Sequence, residues 1–74
     1  MKRLTQIQPG EEAELRLFEG GRRSEMRLMD MGLLPGTKIK MLMNTGMGPV
    51  MISVKGSKLS LGHGLAEKIL VKEV

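Results

Sequence analysis

The chain has no cysteine, tryptophan or tyrosine, and a single phenylalanine and a single histidine among its 74 residues. Without cysteine there can be no disulfide framework and no thiolate metal site. One ring, Phe18, cannot build the row of stacked aromatics on which single strands of nucleic acid are usually held. Nor can it line the aromatic groove that takes proline-rich peptides. No apolar run approaches the roughly 20 residues that span a bilayer. The start, Met1-Lys2-Arg3-Leu4, is basic but lacks an apolar segment behind it, so no signal peptide and a cytoplasmic location are expected. His63 has no second histidine and no cysteine as company; Glu67, four residues on, leaves at most a two-ligand surface pair. No metal site is therefore expected. Ser24, Ser53, Ser57 and Ser60 have only that one histidine to share, which argues against nucleophilic catalysis. Neither an enzyme nor a cofactor is expected.

What remains must hold itself together by an apolar core. The hydrophobic fraction of 41% is that of an ordinary globular chain, and residues 1–74 read as one small domain near the lower limit for independent folding. The net charge is +4, from 12 basic and 8 acidic residues. The charges read as spread along the chain, with Arg22-Arg23 the densest basic pair. A solvated basic surface and an anionic partner are both compatible with that balance.

Turn signals divide the chain. An entry segment, Leu4 to Gln8, ends at Pro9-Gly10. Ala13, Leu15 and Leu17 then alternate with charged residues, as a half-buried strand does. Gly20-Gly21 breaks this strand before a helix from about Arg22 to Met31. That glycine pair with Arg22-Arg23 reads either as an anion-binding helix start or as a plain hinge. On the helix Met26, Met29 and Leu33 share one stripe, Leu28 and Met31 another, and Arg23, Arg27 and Asp30 form a polar ridge, with Asp30 expected to pair with Arg27 or to cap the ridge. Gly32 suits the left-handed residue that ends a helix, and Pro35-Gly36 suits the centre of a turn. Ile39, Met41 and Met43 form the inward face of the next strand. After the loop Asn44 to Pro49, Val50, Ile52 and Val54 form another. Gly46-Met47-Gly48 lacks the Lys-Ser/Thr of a phosphate loop. Gly56-Ser57 reads as a tight connection to Lys58–Leu61. A short helical turn within Gly62 to Lys68 precedes the last strand, Ile69 to Val74.

Eight methionines are many for this length. Met26, Met29, Met41 and Met43 fall at inward periods and are expected in the core, whereas Met47 and Met51 fall outside it and could mark a contact surface. About five strands in so short a chain imply a mainly β, SH3-like barrel with one helix after the first strand. An OB-fold has the strand count, but its helix usually sits between the third and fourth strands.

The chain resembles the FeoA family of bacterial ferrous iron uptake, and also the SH3-like C-terminal domain of DtxR-type repressors. The resemblance rests on Leu4 with Pro9-Gly10, on Arg27-Leu28-Met29-Asp30-Met31-Gly32-Leu33 with Pro35-Gly36-Thr37, on Pro49-Val50 with Ile52, on Leu59-Ser60-Leu61, and on Ala66-Glu67 before Ile69-Leu70-Val71. It implies a non-catalytic interaction module of iron transport whose partner is FeoB, a membrane permease with a cytosolic GTP-binding domain. Peripheral residence at the inner membrane would then come through that partner, with no direct membrane insertion and no nucleic acid expected. Gly62-His63-Gly64 departs from the family by placing glycines where a helix former is usual, which weakens that turn by roughly 1 kcal/mol per glycine. The residues expected to meet the partner are Arg23, Arg27, Asp30, Leu34 and Pro35, with Met47, Pro49 and Met51 as a second patch. Self-association is open. The competing expectation is a basic barrel that binds nucleic acid; its charge favours it and its lack of rings opposes it.

Overall fold

The computed structural model describes residues 1–74. Its strands are Lys2–Arg3 (β1), Glu12–Phe18 (β2), Lys38–Asn44 (β3), Val50–Val54 (β4), Ser57–Leu61 (β5) and Ile69–Glu73 (β6); its helices are Arg22–Asp30 (α1) and His63–Glu67 (α2). All six strands belong to one sheet in the order β1-β6-β2-β3-β4-β5, and every pairing is antiparallel. The mainly β, SH3-like architecture expected from the sequence is present, with one strand more than anticipated. The extra one is β1, two residues that pair with Leu70 and Val71 of β6. Alternation cannot reveal a strand that short. A 3-10 turn, Leu4–Gln6, follows it.

The sheet curls around fifteen buried side chains, all apolar, and no polar or charged residue is buried. Leu4, Ile7, Met41, Ile52, Leu61, Val50 and Val71 are the largest that are wholly enclosed. The entry segment is fastened to the far side of the sheet by Asn44, whose Nδ2 donates to the carbonyls of Thr5 (2.9 Å) and Ile7 (2.8 Å). Its Oδ1 accepts from the Gly46 amide at 2.9 Å and so starts the β3–β4 loop.

Two bulges interrupt the alternation, and both correct the sequence reading. In β2, Leu15 pairs with Val71 and Leu17 with Leu70, leaving Arg16 as the extra residue. In β3, Met41 pairs with Ile52 and Met43 with Met51, leaving Leu42 extra. One additional residue shifts the parity of everything beyond it. Leu17 and Met43, expected inside, are therefore 55% and 52% exposed, and Phe18 turns inward to pack against the core. Met26 and Met29 are likewise exposed rather than core, because Leu28 is the only residue of α1 that is buried. Met41 is fully enclosed as expected.

The turn between β4 and β5 consists of Lys55 and Gly56, with φ of 49° and 83°, and Ser57 already pairs with Val54. That is the left-handed two-residue turn favoured by hairpins, one residue earlier than the connection expected at Gly56-Ser57. α2 forms in spite of Gly64, and Ala66 is buried beneath it.

Candidate functional site

The end of α1 is built as its residues dictate. Gly32 has φ of +83°; its amide donates to the Met29 carbonyl and that of Leu33 to the Leu28 carbonyl, both at 2.9 Å. These two bonds and the buried Leu28–Leu33 pair make a Schellman termination. Leu34 to Thr37 then form a turn, closed by the Thr37 amide on the Leu34 carbonyl at 3.0 Å, with Pro35 and Gly36 (φ +92°) at its centre. The Gly36 amide donates to the Leu15 carbonyl at 2.6 Å and the Leu15 amide to the Thr37 carbonyl at 2.9 Å. The helix exit is thus fixed to β2 just before its bulge.

Between α1, this corner and the bulged end of β2 lies an apolar groove of about 190 Å³. Leu15, Leu28, Leu33 and Ile69 form its buried floor. Leu17, Met29 and Leu34 stand along it at 55%, 49% and 42% exposure, beside Phe18 and Pro35. The Phe18 ring depends on Gly20, because a Cβ there would come within 2.2 Å of two ring carbons. Arg16 and Glu25 supply the polar rim. Arg16 is held by Glu14 (2.7 Å), whereas Arg22, Arg23, Glu25, Arg27 and Asp30 enter no ion pair. The Arg27–Asp30 pairing expected from the sequence does not form.

Of the residues singled out beforehand, Leu34 and Pro35 line the groove. Arg23, Arg27 and Asp30 are exposed on α1 beside it. Met47 and Pro49 sit in the β3–β4 loop and Met51 on β4, none of them in the groove wall. Sequence reasoning missed Leu17, Phe18 and Met29. The adjacent apolar pair Leu17-Phe18, which breaks the strand's alternation, was the available sign of the bulge. His63 Nε2 lies 3.5 Å from Glu67 Oε2 across one turn of α2, and no group of three or more His, Asp or Glu side chains gathers that could hold a metal ion. No helix is long and apolar enough to cross a membrane.

The sequence profile of the FeoA domain matches residues 2–73. The chain belongs to the FeoA family. A Methanocaldococcus jannaschii relative, provisionally named Fe(2+) transport protein A, is 42% identical over 64 residues, which cover 86% of this chain and 77% of the relative. The crystal structure of the iron uptake regulatory protein FeoA superposes with a TM-score of 0.90 at 35% identity, covering 97% of this chain and 96% of that one. A manganese-dependent transcriptional repressor in complex with manganese gives a TM-score of 0.91 at 14% identity, over 99% of this chain and 36% of its own. At that identity the likeness is one of fold. The FeoA corner described above, Schellman end followed by a Pro-Gly turn, is formed by the residues that carried the resemblance.

Proposed function

We propose that this FeoA-family protein is a non-catalytic accessory component of ferrous iron uptake, which binds the cytosolic part of a FeoB-type permease through the α1 groove and modulates transport. The observation that carries the reading is an open apolar groove on a domain whose polar groups are otherwise satisfied or solvated. Leu17, Met29 and Leu34 are large apolar side chains left in water around the same groove, an arrangement that burial against a partner would relieve. Unpaired Arg23, Arg27 and Asp30 border the groove and can set the orientation and speed of encounter without being consumed in internal ion pairs. The family relation supplies the iron-transport context.

Co-purification with the permease tests the proposal. Leu34→Asp and Leu17→Asp put a carboxylate into the groove at exposed positions, and capture should fall at least tenfold, with Arg27→Glu intermediate. Parental binding by all three variants would remove the groove and the ridge from the contact. Parental binding by Arg27→Glu alone would confine the contact to the apolar wall.

A further inference from the structure

The positive charge is not spread over the molecule. Residues 1–30 carry six basic and six acidic side chains, and residues 67–74 carry two of each. The whole net charge of +4 therefore lies between Asp30 and Glu67, a stretch that holds Lys38, Lys40, Lys55 and Lys58 and no acidic residue of its own, while Glu14 and Glu12 of β2 stand opposite Lys38 and Lys40 in the sheet. This corrects the impression of scattered charge. All four lysines are exposed, and none enters an ion pair.

The sheet sets Lys40 and Lys58 on one outer face. Lys40 on β3, Ser53 on β4 and Lys58 on β5 are register partners in a single row, which Glu12 of β2 continues on the other side of Lys40. Strand spacing puts the two lysine backbones about 10 Å apart across Ser53. The next outward row, roughly 7 Å along the strands, is Met43, Met51 and Ser60. Met43 joins it only because the Leu42 bulge turns it outward. Beyond this row the β3–β4 loop carries Met47, 90% exposed, and Pro49, also exposed. The face thus grades from lysines to exposed methionines at a loop tip.

We infer that the outer face of β3–β4–β5 is a docking surface for an anionic lipid bilayer, with Met47 entering the interface and Lys40 and Lys58 contacting headgroup phosphates behind it. Lysines set back from an apolar tip match the depth order of a membrane surface, phosphate outside and acyl chain within. A nucleic acid would also attract the lysines. It would leave the methionines facing water or phosphate, and this face has no ring to stack on a base, because Phe18 lies in the α1 groove. The inference does not depend on the permease reading, since the two surfaces share no residue.

Sedimentation with phosphatidylglycerol vesicles, phosphatidylcholine vesicles and duplex DNA tests it. The protein should bind the phosphatidylglycerol vesicles and not the phosphatidylcholine ones, and binding should fall as salt rises from about 50 to about 500 mM. Lys40→Gln and Lys58→Gln should each weaken it about fivefold, as expected for one lysine at an anionic surface. Met47→Ser should weaken it to a similar degree, about fivefold, by removing apolar insertion. Leu34→Asp, in the groove, should leave it unchanged. These side chains are exposed, so unaltered far-ultraviolet dichroism is expected in every variant. Absence of vesicle binding at low salt, or binding indifferent to the lysine substitutions, would overturn the inference. So would duplex DNA binding of equal strength with Met47→Ser without effect, which would make the lysines a general phosphate surface. Loss of vesicle binding in Leu34→Asp would overturn the separation of the two surfaces.

Discussion

Asn44→Ala isolates the link that holds the entry segment onto the sheet. The amide makes three hydrogen bonds, two donated to the carbonyls of Thr5 and Ile7 and one accepted from the Gly46 amide. The site is partly buried, so water can replace some of what is lost. Each neutral hydrogen bond contributes roughly 1 kcal/mol net, and a buried carbonyl left without a donor costs somewhat more. The expected destabilisation is about 2–3 kcal/mol. A domain of this length has a total stability of roughly 4–11 kcal/mol, so this is a large fraction of it. Near the midpoint 1 kcal/mol corresponds to about 4–8 °C in so small a domain, and the melting temperature should drop by about 10–20 °C. Urea titration gives the free energy directly, and an unchanged m-value would show that the comparison is between the same two states. Asn44→Asp keeps the acceptor for Gly46 but sets a carboxylate against two carbonyl oxygens, and should be at least as damaging as alanine. A loss below about 0.5 kcal/mol for Asn44→Ala would refute the reasoning, and would mean that the core contacts of Leu4 and Ile7 alone fix the segment.

Met41→Ala and Met43→Ala, two residues apart on one strand, should differ sharply. The enclosed Met41 costs about 2–5 kcal/mol, while Met43, half in water, costs under about 1 kcal/mol; equal losses in urea titration would mean that the β3 bulge is absent. Gly32→Ala, at φ of +83° with nothing within 4 Å of the added carbon, should cost about 1 kcal/mol in thermal melts through backbone strain alone. Lys2 donates to Glu73 at 2.5 Å, and that hydrogen bond, followed by the carboxylate's charge, raises the lysine above its ordinary value of 10.5. A raised amine contributes its stabilisation in full below 10.5 and loses it as pH rises through the higher folded value. Melting curves of the parent and Lys2→Met should therefore converge above that pH; a gap that persists into strong alkali would count against the pair.

The corner after α1 was legible residue by residue. Gly32, Pro35 and Gly36 admit few backbone conformations, and they took the ones their chemistry allows. The strand cores Ile39, Met41, Val50, Ile52 and Val54 were equally plain, because alternation holds wherever pairing is regular. The methionines of α1 misled. Met26 and Met29 have the spacing of a buried stripe, yet the helix presses only Leu28 against the sheet and leaves them open. The groove could not be read from the sequence, since it depends on where α1 stops short of covering β2.

The order of residues by itself determined an apolar, ring-poor, cysteine-free domain, its turn chemistry, its helix end and its family. Those properties are local, set by side-chain volume, φ preference and short-range periodicity. Only the tertiary structure decided which apolar residues remain in water and which lysines stand together. Two extra residues, Arg16 and Leu42, reverse the parity of their strands, and the pairing of β3, β4 and β5 brings Lys40 and Lys58 into one row. A bulge forms because the neighbouring strand requires it, and that requirement is set by residues far away in the chain.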